Sequence, residues 1–183
     1  MRIQELKERI DFWRKEDRIG PDMPLTHWKL YFKSTMLRLC KEKFAYFDES
    51  AEFRPGAYAI VCSKIRIGKG VVIRPGTILH AHPGENGPGI TIEDNVAIAY
   101  GVKIFLANHR YDDPDVPILF QGYSEPREAI LKKGCWVGAN TVITKGVVIG
   151  ENSVVGAGSI VTEDIPDRVM AAGVPARVIK KIV

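Results

Sequence analysis

An apolar aliphatic side chain recurs every six residues at Leu131, Val137, Ile143, Ile149, Val155 and Val161. Four residues after each beat stands a second compact or apolar residue, at Cys135, Thr141, Val147, Ser153, Ser159 and Ile165. A helix repeats its apolar face about every 3.6 residues and a strand every second residue. A period of six, with glycine directly after the beat at Gly138, Gly150 and Gly156, fits neither element alone. It predicts short flat segments joined by tight corners and wound into stacked coils.

The same beat runs through Val61, Ile67, Ile73 and Leu79, with partners Ile65, Val71 and Thr77, and again through Ile92, Ile98 and Ile104, with partners Val96 and Val102. Between these runs the phase shifts, at 80–90 and at 108–130, so extra residues must be pushed out of the coil as loops. In a solenoid such loops usually carry the function. Residues 1–48 lack the beat and are expected to form a helical cap on a coil domain of 49–183. Ile3, Leu6, Ile10 and Trp13 mark one face of an amphipathic helix ended by Gly20-Pro21-Asp22. A second helix is expected over 26–44, with Trp28, Phe32, Met36, Leu39 and Cys40 as its buried stripe. Its cations Lys29, Lys33, Arg38, Lys41 and Lys43 scatter around that helix, which favours a solvated face over a membrane-surface face.

Composition changes this picture little. Of 183 residues 45% are hydrophobic and 26% charged, and the net charge of +4 is too mild to argue for nucleic acid while remaining compatible with a polyanionic small ligand. No stretch approaches the ~18 unbroken apolar residues of a membrane span, and the N-terminus lacks the apolar core of a signal peptide. A cytoplasmic protein is expected. The three cysteines are an odd number without metal spacing, so neither a disulfide framework nor a zinc site is expected, and Cys135 on a beat position reads as buried and inert.

The pattern of aliphatic, Gly, two free positions, small residue and one free position resembles that of the hexapeptide-repeat acyltransferases. The match runs over roughly 53–182, and it is most specific in residues 134–162 and in the exit Ala-Ala-Gly-Val-Pro-Ala-Arg-Val-Ile-Lys at 171–180. Both stretches look like the acetyl-CoA-binding coils of the sugar O-acetyltransferase branch, the galactoside and maltose acetyltransferases. The resemblance implies a mostly β protein, a left-handed parallel β-helix with a short N-terminal helical segment, acting as a homotrimer on acetyl-CoA and a saccharide acceptor.

It also implies roles. His109, in Asn108-His109 at the break of the third run, corresponds to the family's catalytic base. A neutral imidazole within reach of a sugar hydroxyl takes its proton as the oxygen attacks the thioester carbon, so no acyl-enzyme is required. Ala139, Ala157 and Thr162 match cofactor contacts. Arg177 and Lys180 match basic residues near the nucleotide phosphates, with Lys180 where the family often carries Arg, which weakens the case for bidentate contact there. Trp136 points outward, against the cofactor or a neighbouring subunit. On the acceptor side His80, His82 and Arg74 replace the Asn and Asp of the disaccharide-specific enzymes, and the long loop with Asp112, Gln121 and Tyr123 looks more like the branch that modifies polysaccharide or lipopolysaccharide building blocks. That loop either orients a hydroxyl-rich ligand or docks on an adjacent subunit.

Other classes stay open at this point. N-acetylation of a nucleotide-linked amino sugar needs the same base. A γ-type carbonic anhydrase shares the coil but binds metal through three His, including a pair about five residues apart that is missing around His109. A non-catalytic trimeric scaffold would have no need to keep both His109 and the exit segment.

Overall fold

In the computed structural model, which describes residues 3–84, 87, 89–125 and 127–183, the six-residue beat becomes a three-faced coil. Met1, Arg2, three residues of the expected 80–90 loop and Pro126 of the expected 108–130 loop lie outside the described residues. The first face stacks Tyr46–Phe47, Ile65–Ile67, Ile90–Ile92, Ala129–Leu131 and Val148–Ile149. The second stacks Glu52–Phe53, Val72–Ile73, Ala97–Ile98, Trp136–Val137, Val154–Val155 and Val169–Gly173. The third stacks Tyr58–Ile60, Ile78–His80, Lys103–Phe105, Val142–Ile143 and Ile160–Val161. Neighbouring strands within each face are parallel and in register, as in Leu79↔Ile104↔Ile143↔Val161. The whole is a left-handed parallel β-helix preceded by short helices.

Every beat residue except Val61 points inward, and Ile67, Ile73, Leu79, Ile104, Leu131, Ile143, Val155 and Val161 are all fully buried. Ser153 and Ser159, polar but equally buried, spend their hydroxyls on the backbone: Ser153 Oγ donates to the Pro166 carbonyl at 2.6 Å and Ser159 Oγ to that of Gly156 at 2.6 Å. Corners need residues that tolerate a left-handed backbone, and Asn140 (φ 57°) and Gly158 (φ 70°) fill two stacked ones. Gly138 is required by close approach. A Cβ there would stand 2.5 Å from the Ala157 nitrogen and 2.8 Å from the Val155 carbonyl oxygen.

Several expectations are corrected. Val61 is no inward beat: it sits half-buried in a left-handed turn (φ 60°), and the first coil is instead built on Phe47, Phe53 and Ala59. That coil begins at Tyr46, on the helical side of the boundary expected at 48. The first helix, α1 (Ile3–Lys15), ends before Gly20 and buries none of its residues. The expected second helix is three pieces, α2 (Pro24–His27), a 3-10 turn (Trp28–Tyr31) and α3 (Lys33–Lys43), because Phe32 adopts an extended backbone (φ −124°, ψ 126°). Met36, Leu39 and Cys40 join the core as expected, whereas Trp28 and Phe32 are exposed. The coil also continues past Ile165. That residue bridges Ile149 on the first face, and Val169–Gly173 extends the second face before Ala176–Lys181 returns antiparallel along it. Burial keeps all three cysteine thiols protonated, with that of Cys135 pushed up to about 12.

Candidate functional site

Both long insertions leave the stack at the same corner, between the third face and the first. Residues 81–89 follow Ile78–His80, and residues 106–128 follow Lys103–Phe105 one coil above. The later corner at Lys145, after Val142–Ile143, lies on the same edge. This shared exit explains why residues far apart in the chain meet.

The neck of the second insertion is a short antiparallel ladder. His109 bridges Tyr123, Arg110 N donates to the Gly122 carbonyl (3.0 Å), and Ser124 N donates to the Asn108 carbonyl (2.8 Å). Lys145 reaches up from its corner and donates to Ser124 Oγ (2.7 Å) and the Glu125 carbonyl (2.9 Å), while Ser124 Oγ donates to the Asn108 carbonyl (3.0 Å). A cleft of about 510 Å³ opens here, lined by Asn108, His109, Asp112, Tyr123, Glu125 and Lys145 among others.

The imidazole of His109 stacks on the Tyr123 ring (centroids 4.9 Å apart, 27° between planes). Its Nδ1 is buried without a hydrogen-bond partner among the described residues, so stacking rather than a carboxylate orients the ring. His82 stands edge-on to the same tyrosine at 5.4 Å. It is 7% exposed, its Nδ1 accepts from Gly84 N (3.1 Å), and its Nε2 is buried without a partner among the described residues. With Nδ1 committed as acceptor, the neutral ring carries its proton on Nε2. Burial, then the charges of Lys64 and Lys145, pull the His82 pKa below the ordinary 6.5. His80 is lowered by burial, Arg18 and His82, and His27 by burial.

These three shifts fix a pH dependence. In the window between the lowered folded values and 6.5 the unfolded chain binds more protons, so stability is fully present above about pH 6.5 and is lost as pH falls. Thermal unfolding at pH 7.5 and 5.5 is expected to give the lower midpoint at 5.5, with a smaller drop in His82→Gln. Equal midpoints in the wild type would contradict the burial of these rings.

The expected acceptor residues divide into two groups. Asn108, Asp112 and Tyr123 line the His109 cleft, with the His82 ring edge-on to Tyr123. Asp112 is paired with Arg110 (2.9 Å), and Gln121 spends its amide inside the loop on Asp113 and Val116. Arg74 is elsewhere: its guanidinium lies over the Tyr100 ring (5.3 Å), and with Trp136 it lines a groove of about 420 Å³ on the second face.

Of the expected cofactor residues, Ala139 and Ala157 occupy stacked corners between the second and third faces, joined by Gly158 N donating to the Ala139 carbonyl (2.8 Å). Thr162 lies across the third face, in one column with Thr144 and Phe105 by the strand register. Two coil spacings of about 4.8 Å separate Thr162 from Phe105, where the neck of the second insertion begins. Arg177 spans back to Glu163 (3.2 Å) in an exposed pair, and Lys180 is exposed on the terminal strand. Such a pair holds by less than about 1 kcal/mol, so Arg177 is available to a phosphate.

Lys145, Ser124 and Tyr100 were not expected. Counting hexads to the corner that aligns with both insertions finds Lys145. Ser124 and Tyr100 carry no comparable signal. Among the described residues no three His, Cys, Asp or Glu side chains gather as a metal site, and no helix is long and apolar enough to cross a membrane.

A family model described as bacterial transferase hexapeptide (six repeats) matches residues 128–163. No curated protein matches the chain. Among solved structures the chain is similar to a maltose O-acetyltransferase from Clostridium difficile 630, with 26% identity, 100% of this chain and 90% of that one covered, and a TM-score of 0.73. It is similar to a galactoside acetyltransferase in complex with coenzyme A, at 30% identity over 86% of this chain and 79% of that one, with a TM-score of 0.68. A variant N-acyltransferase from Bacillus cereus, in complex with dTDP-4-amino-4,6-dideoxyglucose and coenzyme A, gives 27% identity, coverage of 80% and 89%, and a TM-score of 0.63.

Proposed function

Since the chain belongs to the hexapeptide-repeat acetyltransferase superfamily, we propose that it transfers acetyl from acetyl-CoA to a saccharide hydroxyl, with His109 as general base, in the building of surface polysaccharide or lipopolysaccharide. The observation that carries this reading is the position of His109, at the mouth of a cleft that opens on the same edge of the coil as Thr162. The small corners at Ala139 and Ala157 leave the outer side of the third face open to a pantetheine arm, and Arg177 with Lys180 supplies cations for the nucleotide phosphates.

In this mechanism the imidazole takes the hydroxyl proton as the oxygen bonds to the thioester carbonyl carbon. The tetrahedral intermediate then collapses, the carbon–sulfur bond breaks, and the imidazolium returns its proton to the departing thiolate. Tyr123 holds the ring in plane for both transfers. The separation of Trp136 and Arg74 from the His109 cleft supports a trimer in which the second-face groove of one subunit faces the cleft of the next.

Likeness to the Bacillus N-acyltransferase favours a second reading, N-acetylation of a nucleotide-linked amino sugar. The first experiment is calorimetric titration with acetyl-CoA. Binding in the micromolar range or tighter is expected, with Arg177→Ala weakening it about tenfold, the scale of one charge-assisted phosphate contact. Failure of acetyl-CoA, longer acyl-CoAs and free CoA to bind the folded protein would remove the transferase reading.

A further inference from the structure

Resting on that reading, we propose that the acceptor carries an acidic group, a carboxylate or a phosphate, seated between Lys145 and His82 at the edge of the His109 cleft. Lys145 is the first reason. Its half-buried ammonium lines the cleft yet is held only by neutral oxygens, the Ser124 hydroxyl and the Glu125 carbonyl, and no carboxylate of the described residues lies within 4.0 Å of it. Arg110, the other cation lining the cleft, is already neutralised by Asp112. An ammonium forms three hydrogen bonds, and Lys145 makes two among the described residues.

His82 is the second and independent reason. It is more than nine-tenths buried, and the loop wraps it so closely that a Cβ on Gly87 would stand 2.4 Å from its Nδ1 and one on Gly84 3.2 Å from the same atom. That wrapping leaves Nδ1 an acceptor and makes Nε2 a buried donor with no partner among the described residues, a state that costs free energy until an acceptor oxygen arrives. His82 stands edge-on to Tyr123, which stacks on His109 and lines the cleft together with Lys145. A cation with a spare donor and a neutral ring locked as a donor suit an anion's oxygens. A neutral hydroxyl needs neither the charge nor a donor-only partner.

The test uses the full-length protein with acetyl-CoA bound and its histidine rings labelled, since the chain has 4 His. Glucuronate, glucose 6-phosphate, inorganic phosphate and glucose are titrated while the ring signals of His82 and His109 are followed. At least one sugar acid is expected to move both rings with an affinity about tenfold or more above that of glucose, and Lys145→Gln is expected to abolish that preference while Lys145→Arg restores it. Response to glucuronate alone assigns a carboxylate, and response to glucose 6-phosphate and inorganic phosphate assigns a phosphate. If glucose binds as well as the acids, if no acid moves the rings, or if Lys145→Gln keeps the preference, the inference is overturned while acetyl-CoA binding leaves the transferase reading standing. If acetyl-CoA itself does not bind, the reading falls and the inference with it.

Discussion

Replacing His109 by alanine is expected to lower kcat for a hydroxyl acceptor by about 10²–10⁴-fold, the range a positioned general base contributes. A sugar hydroxyl is a poor nucleophile at neutral pH and must lose its proton as it attacks, and His109 is the one histidine among the residues that line the cleft. Among the described residues no carboxylate bonds the buried Nδ1, so removing the ring strands no buried charge there, and the neck ladder through Asn108, Arg110, Gly122 and Ser124 remains. The loss is therefore expected in turnover, with the acetyl-CoA dissociation constant within about twofold of wild type. Release of free thiol measures the first and calorimetry the second. The same variant separates the two readings of the acceptor. An amine attacks as the neutral base and sheds its proton afterwards, so an N-acetylating enzyme would lose less than a hydroxyl-acetylating one. A loss below tenfold with every acceptor tried would show that His109 is not the base.

Ile104→Ala is expected to cost about 2–5 kcal/mol of stability, toward the upper end of that range. The side chain is fully buried between Leu79 below and Ile143 above, in a column fixed by backbone ladders. Those ladders hold the coils about 4.8 Å apart, so the lost volume stays as a cavity instead of closing. Because each coil contacts only its neighbours, the defect weakens two interfaces in the middle of the stack, in the coil that the second insertion leaves. Denaturant unfolding should show it, with Val142→Ala, on the half-buried outer side of the adjacent coil, costing less. A change below about 1 kcal/mol for Ile104→Ala would mean that the stack relaxes more freely than its hydrogen-bond register implies.

The period of six made most of the stack legible, because inward positions admit only compact apolar groups and leave a repeat that survives any change at the free positions. The first coil escaped for the same reason. Phe47 and Phe53 are too large for the pattern, and Ala59 completes their coil on the third side, so the residues there are not the uniform aliphatics the beat looks for. Aromatics fit because α3 lies over this end and Phe44 packs against both rings, at 5.6 and 5.5 Å. Trp28 and Phe32 had helical spacing with Met36, but the extended backbone at Phe32 breaks the phase, and no sequence signal marked that break. In the candidate site His109 was found through its place at a phase shift. Arg74 joins the acceptor residues through the family resemblance, beside His80 and His82, yet the six residues from Arg74 to His80 are a change of face in this coil.

Ala176–Lys181 running antiparallel beside Val169–Gly173 has a consequence beyond the residues it presents. A parallel stack offers every incoming strand the edge it needs, and a chain ending on such an edge would invite another molecule to add its own first coil there. Reversing direction replaces that edge on the second face with one of opposite polarity, bearing Lys180 and Lys181. At the other end Arg18–Ile19 does the same on the third face, antiparallel to Tyr58–Ile60. At each end, one of the three faces is thus closed by a strand that contradicts the coil's own rule of growth, and a second molecule would find no parallel edge to extend there.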